Sequence, residues 1–186
     1  MKKINNFMIA FSFLTAIIWA MLNPSYINFS RILVIISILP VLYIPRILNK
    51  FFSLKIDKKT ELIYILFIFF AQILGSVLRF YQTVPYYDKF IHFISGFLSC
   101  TFALVIIKKY HLQTQKLSFR NLLILLMSLS VAVGWEMFEY TSDKILKGDT
   151  QNVLTTGVND TMQDVIMAFL AALFFIIFYS FKERRK

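Results

Sequence analysis

Six long apolar runs, separated by short polar segments, set the pattern of the chain: roughly 7–22, 27–45, 62–82, 90–107, 121–138 and 162–181. Each is close to the ~20 residues that a helix needs to cross ~30 Å of hydrocarbon. None alternates apolar and polar residues with a period of two, so a membrane barrel is excluded as the leading reading. The pattern predicts an all-α, polytopic membrane protein: a six-transmembrane-helix bundle in a single domain over residues 1–186. Lys2 and Lys3 before the first run resemble the start of a signal peptide. Ala20-Met21-Leu22-Asn23 offers no small-residue cleavage site, however, so the run is read as an uncleaved first helix. Pro40 falls inside the second run and predicts a kink there, because it removes a backbone donor.

Composition supports this class. Apolar residues make up 58% of the chain and charged residues 16%, against roughly 45–50% and about 25% in soluble domains. A disordered chain, a collagen-like chain and an ordinary soluble enzyme are excluded. The single cysteine, Cys100, excludes a disulfide scaffold and a thiolate zinc site.

Charge gives the chain a direction. With the amino terminus in the cytoplasm and the helices alternating, 15 of the 20 basic residues fall on the inner side, in the tails and in the loops around 46–59 and 108–120. Only Arg31, Arg79, Lys89, Lys144 and Lys147 remain in the outer half. Both termini are therefore expected in the cytoplasm, with the helices crossing the plasma membrane. The net charge of +10 follows from topology, and its spread over thin loops gives no reason to expect a nucleic-acid partner. Trp19, Tyr26, Tyr81, Tyr86, Tyr87, Trp135 and Tyr140 fall at outer ends, where aromatic rings favour the headgroup level.

The acidic residues are segregated. Of ten, Asp57, Glu61 and Glu183 are assigned to the inner side, whereas Asp88, Glu136, Glu139, Asp143, Asp149, Asp160 and Asp164 lie toward the outer side. Orientation rules do not demand this, because acidic residues contribute little to topology. His92 precedes Lys108 by 16 residues, Glu136 follows Arg120 by 16, Asp164 precedes Lys182 by 18 and Arg79 follows Glu61 by 18. Each is then about 24–27 Å above the inner boundary, in one layer. Rows at i, i+4 join Asp88, His92 and Gly96; Ser128, Ala132 and Glu136; and Asp160, Asp164, Ala168 and Ala172. Small residues in each row mark the faces where membrane helices pack closely, so the ionisable ends are expected inside the bundle. Intramembrane ionisable groups are functional candidates by default.

Carboxylates with one imidazole suit a divalent ion such as Zn, Mn, Mg or Ca. Asp88, His92, Glu136, Glu139, Asp160 and Asp164 are the candidate ligands. Glu136 and His92 are the candidate proton-transfer groups, and Arg79 is a candidate clamp for a phosphate or carboxylate on the substrate. Asp143 and Asp149 read as solvated loop residues, His111 as solvated, Cys100 as packing, and Arg31 as a snorkelling helix-end residue. No glycine-rich phosphate loop, nucleophile elbow or His-Glu-x-x-His pair is present.

The segments Tyr87-Asp88-Lys89-Phe90-Ile91-His92-Phe93 with Gly96-Phe97, Trp135-Glu136-Met137-Phe138-Glu139-Tyr140, and Asp160-Thr161 with Asp164 resemble the YjdF-type family of bacterial inner-membrane proteins. More distantly, the order Asp-Lys-x-x-His, Glu, Asp resembles VanZ-like proteins, associated with glycopeptide (teicoplanin) resistance. The resemblance covers residues 85–174 and implies an integral protein of the bacterial cell envelope, without implying an activity. The functions then in view are action on a membrane lipid or an amphiphilic, lipid-linked envelope precursor reached from the outer leaflet; proton- or ion-coupled transport of a small solute; and a non-catalytic envelope or glycopeptide-resistance factor.

Overall fold

The computed structural model describes residues 1–151 and 153–185, all helical or loop among them. Lys186, counted above with the inner basic residues, lies outside them. The chain packs as two compact units, Met1–Tyr87 and Asp88–Lys186.

The first unit contains α1 (Lys2–Leu22), α2 (Phe29–Leu42), α3 (Ile44–Phe52), α4 (Lys58–Ile68) and the short α5 (Phe80–Thr83). Asn28 opens α2 by accepting the backbone N–H of Arg31 at 2.9 Å, a cap that replaces one of the bonds a helix start lacks. The helix then continues through Pro40 and breaks at Tyr43, where α3 departs at 46°. Pro40 withholds a donor and Pro45 is preorganised to begin a new helix, which places the bend between them. Asp57 caps α4.

The predicted third span at 62–82 runs differently. Alpha-helical pairing ends at Ile68, π-helical pairing carries the chain from Phe69 to Val77, and the helix stops before Arg79. Gly75 allows this turn of the chain: a Cβ there would come within 2.4 Å of the Tyr81 ring. Among the described residues, five helical segments are long and apolar enough to span a membrane, and the count is six if the bent α2–α3 pair is one span.

The second unit contains α6 (Tyr87–Lys109, from Asp88 onward), α7 (Leu117–Leu146), α8 (Val153–Thr156) and α9 (Asn159–Arg184). α7 runs antiparallel to α6 and α9, so one end of the unit is basic and the other acidic. The basic end is pinned by Arg120, which donates to Tyr179 and Glu183 at 2.8 Å, and by Asn121, which donates to Ser180 at 2.9 Å. Above it lies an apolar core of Cys100, Ala103, Ile107, Ile124 and Ala172. Higher still, Gly96 meets α9 so closely that a Cβ would come within 2.7 Å of the Ala168 carbonyl and of the Ala171 Cβ. Side chains such as Ile166, Leu170, Phe174, Ile177, Phe178 and Phe181 stay exposed along α9, as expected of a face solvated by lipid.

The run predicted at 121–138 extends to Leu146, and the expected loop at 139–161 is correspondingly shorter. Nothing in Glu139–Leu146 breaks a helix. The stop comes at Lys147 in the left-handed conformation (φ 54°). The chain then folds back on Asp143, whose carboxylate accepts from the Thr150 N–H at 2.9 Å, the Thr150 hydroxyl at 2.8 Å and the Gln151 N–H at 3.2 Å. Asp143 thus anchors the loop instead of being merely solvated.

Candidate metal centre

The three small-residue rows meet at the acidic end of the second unit. Gly96 admits Ala168 and Ala171, which draws α6 against α9. Ser128 of α7 donates to the Ala168 carbonyl at 3.1 Å, which fixes α7 to the same turn of α9. One to two turns above these contacts, each helix presents an ionisable side chain to the shared interior: His92 from α6, Glu136 from α7 and Asp164 from α9, respectively 5%, 6% and 2% exposed.

Asp88, His92 and Asp164 each offer a ligand atom, and these atoms all lie within 4.8 Å of one another. The His92 Nε2 is 3.6 Å from Asp88 Oδ1, 3.9 Å from Asp164 Oδ1 and 4.0 Å from Glu136 Oε1. Hydrogen bonds need about 2.7–3.2 Å, so none of these contacts is one. Donors around a small ion with bonds of roughly 2.0–2.2 Å stand ~3.4 Å apart when tetrahedral, a little less than the 3.6–4.0 Å that separates the His92 Nε2 from the three carboxylate oxygens. The Glu136 Oε1 supplies an independent indication: it is buried and has no hydrogen-bond partner. A buried carboxylate oxygen left unsatisfied is costly, and a cation held with His92 would satisfy it. The donor set therefore fits a divalent ion, and Asp88, His92 and Asp164 are positioned to coordinate one.

Lys89 is the residue that sequence reasoning missed. Its ammonium donates to Asp160 Oδ1 at 2.5 Å and to both oxygens of Asp164 at 2.9 Å, and lies 3.4 Å from Asp88 Oδ2. One ammonium faces three carboxylates, and Glu136 stands beside His92, so the formal charge of the group remains negative. The available signal is its placement one residue after Asp88 and three before His92, within the Asp-Lys-x-x-His pattern. Gln151 was also missed. It is buried and donates through Nε2 to the Glu136 carbonyl at 3.0 Å and to Glu136 Oε2 at 3.1 Å. The folded-back loop thereby reaches the site.

The remaining candidates are held by contacts of their own. Asp160 is held by Lys89 and stands outside the three-ligand cluster. Glu139 accepts from the Trp135 indole at 2.8 Å. Arg79 belongs to the first unit, where its guanidinium stands 4.7 Å from the centre of the Tyr26 ring.

Long apolar helices and a buried Asp/His cluster between them define a multi-pass membrane protein with a site able to coordinate a metal ion. The chain belongs to the family described as "Predicted membrane protein (DUF2238)", whose model matches residues 6–185. It is 30% identical over 127 residues to an "Uncharacterized protein" of Thermotoga maritima, a match covering 68% of this chain and 64% of that protein. The chain thus spans somewhat under two thirds of that relative's length. No solved structure matches the chain. These findings correct the YjdF-like and VanZ-like assignment. That resemblance rested on three short segments that build the acid–His cluster and on nothing in the first three spans, whereas the family match runs through all of them. Short motifs of acids and a histidine report what a polar site inside helices requires, and so discriminate poorly between families.

Proposed function

We propose that this protein is a divalent-cation-dependent membrane protein whose site opens toward the outer leaflet and acts on an anionic amphiphile, such as a phospholipid or a lipid-linked envelope precursor. The observation that carries the reading is the shell of three carboxylate oxygens at 3.6–4.0 Å around the His92 Nε2, one of them, Glu136 Oε1, without a hydrogen bond. Asp88, His92 and Asp164 are the proposed ligands. A nitrogen donor among carboxylates suits Zn or Mn better than Ca or Mg. When bound, such an ion supplies Lewis-acid stabilisation of developing negative charge. Glu136 then serves as the proton-transfer group, placed by Gln151, which holds its other oxygen. Lys89 keeps Asp160 and Asp164 in place and offers positive charge to an anionic headgroup.

Two further features support a lipid-side substrate. Strongly apolar residues are exposed in the segments that carry the acidic end, among them Phe138, Ile145, Leu154 and Val158. Toward the basic end, the tight Gly96–Ala168 contact and the apolar layer around Cys100 and Ile124 close the interior. A proton or ion relay through the unit would need polar groups to continue through that layer, so a site open at one end is favoured over transport. Under this reading both termini are cytoplasmic, which the positive charge of the tails and inner loops supports.

The test is elemental analysis of protein purified without chelator, with thermal unfolding in Mn, Zn, Mg and Ca. The expected result is about one divalent ion per chain and a stabilising shift, both lost in His92→Ala and Asp164→Asn. Absence of a bound ion together with no shift from any of the four would overturn the reading.

A further inference from the structure

The first unit has a second concentration of unsatisfied charge, of the opposite sign. It contains only two acidic residues, Asp57 and Glu61. Both are committed at its basic end: Asp57 caps α4, and Glu61 is held by Arg46 at 2.5 Å and Lys58 at 2.6 Å. Arg31 and Arg79 are the two basic residues of this unit outside the amino terminus and the 46–59 segment, and neither forms an ion pair among the described residues.

The two guanidiniums converge on Tyr26. Arg31 Nη1 donates to the Tyr26 carbonyl at 2.8 Å, while Arg79 lies over the Tyr26 ring at 4.7 Å. Trp19 packs beside Tyr26 with ring centres 6.4 Å apart and carries Arg31 5.8 Å above its own ring. Both guanidiniums are thus gathered at one residue, and like charges so placed repel. The Arg79 Nε is buried and has no hydrogen-bond partner. Cation–π contacts orient guanidinium groups without neutralising them, so most of the planar donor fork of both arginines is left to a ligand.

The backbone aims Arg79 deliberately. Arg79 is left-handed (φ 70°), directly after the π-helical segment. Its carbonyl accepts from the Gln82 N–H at 2.9 Å and from the Thr83 N–H and hydroxyl, each at 3.1 Å, which holds it there. π-Helical turns and left-handed non-glycine residues concentrate at functional sites.

We propose that Arg31 and Arg79, on a platform of Tyr26 and Trp19, form a binding site for a phosphate mono- or diester. Two guanidiniums without a carboxylate match the several acceptor oxygens of one phosphate, which offsets their mutual repulsion. The phosphate belongs either to a lipid headgroup or to a free anion. The site is independent of the proposed cation centre.

The experiment uses the full chain in neutral detergent with EDTA, so that failure of the cation reading leaves it intact. Binding is measured by native mass spectrometry for short-chain phosphatidic acid and by thermal shift for inorganic phosphate, in wild type, Arg31→Gln, Arg79→Gln, Arg79→Lys and the exposed control Lys55→Gln. The expected result is that at least one probe binds, about ten-fold more weakly in either Gln variant, with partial loss in Arg79→Lys, which keeps the charge but not the fork. Binding of the lipid alone assigns a headgroup, and binding of inorganic phosphate assigns a free anion. Should Arg79→Gln misfold, Arg31→Gln and Arg79→Lys decide the outcome. No binding of either probe, or equal loss in Lys55→Gln, overturns the proposal.

Discussion

The Lys89 ammonium lies 2.9 Å from both carboxylate oxygens of Asp164, while His92, one turn further along the same helix, stands 3.9 Å from Asp164 and bonds to neither oxygen. Asp164 is therefore shared between a fixed cation and a position where a second cation fits. A divalent ion at His92 must tolerate the ammonium across the same carboxylate. Lys89→Met is expected to tighten Mn or Zn binding at least ten-fold, or ~1.4 kcal/mol. Without metal the variant leaves buried acids unpaired and is expected to be less stable by about 3 kcal/mol. Thermal unfolding of wild type and variant across a metal titration reads both effects, which have opposite signs.

Helix spacing made much of this arrangement legible before any coordinates. The rows that carry His92, Glu136 and Asp164 bring these side chains near one another, because i, i+4 periodicity survives into three dimensions along an unbroken helix. What the sequence concealed comes from places where that periodicity fails. π-Helical pairing from Phe69 to Val77 and the left-handed Arg79 change the facing of everything after Ile68, so a residue count from Glu61 does not report how Arg79 is aimed. Gln151 reaches Glu136 only because the loop folds back on Asp143, a long-range closure with no local signature. Lys89 was hidden by its charge: a basic residue in the outer half reads as a topological exception until its partners, more than seventy residues away, are known.

The packing that creates the site can be tested apart from its chemistry. Gly96→Ala would place a Cβ 2.7 Å from the Ala168 carbonyl and from the Ala171 Cβ, and 3.0 Å from the Ala168 Cα. Two of these are backbone atoms, so α6 and α9 must separate. A loss of roughly 1–3 kcal/mol is expected, along with weaker metal binding, since Asp88 and His92 move away from Asp164. Gly134→Ala on α7 is the control. It meets nothing within 4 Å and should be neutral or slightly stabilising in a melting experiment, as a helix-interior glycine gains from a methyl group.

Gln151 ties the loop to Glu136 through two hydrogen bonds from one nitrogen. Gln151→Ala is expected to leave the helices folded and to release the segment 147–158. Amide exchange there should quicken while protection of α7 below Glu136 stays unchanged. Unaltered exchange in that segment would show that Asp143 alone holds it.

Asp57 supplies the pH-dependent contribution that lies outside the spanning segments. The Thr60 N–H, chiefly, with the Lys59 N–H and the Thr60 hydroxyl, holds its carboxyl below the usual carboxylate range. A depressed folded-state value means that the ionised cap stabilises α4 above the unfolded-state value of roughly 3.9 and loses that contribution as pH falls through the folded-state value. Asp57→Ala is expected to cost about 1 kcal/mol at neutral pH. The melting temperatures of wild type and variant should converge in acid.

At the other end of that first helical turn, Glu61 is 1% exposed and bound by Arg46 Nε at 2.5 Å and Lys58 Nζ at 2.6 Å, while Arg46 also donates to Asn6 at 2.6 Å. The Glu61 carboxylate thus ties α4 to α3, and the Arg46 guanidinium ties α3 to α1. Burial of an ion pair yields little net stability, but removing one partner strands the other's charge. Arg46→Ala should therefore be more damaging than Glu61→Gln, which keeps the shape and removes the stranded charge, and the double variant should recover part of the loss. The expected coupling between the two positions is about 1–3 kcal/mol in a double-mutant cycle of thermal or denaturant unfolding. Simple additivity would mean that Lys58 alone balances Glu61 and that Arg46 serves α3 only through its contact with the Tyr43 ring at 5.0 Å.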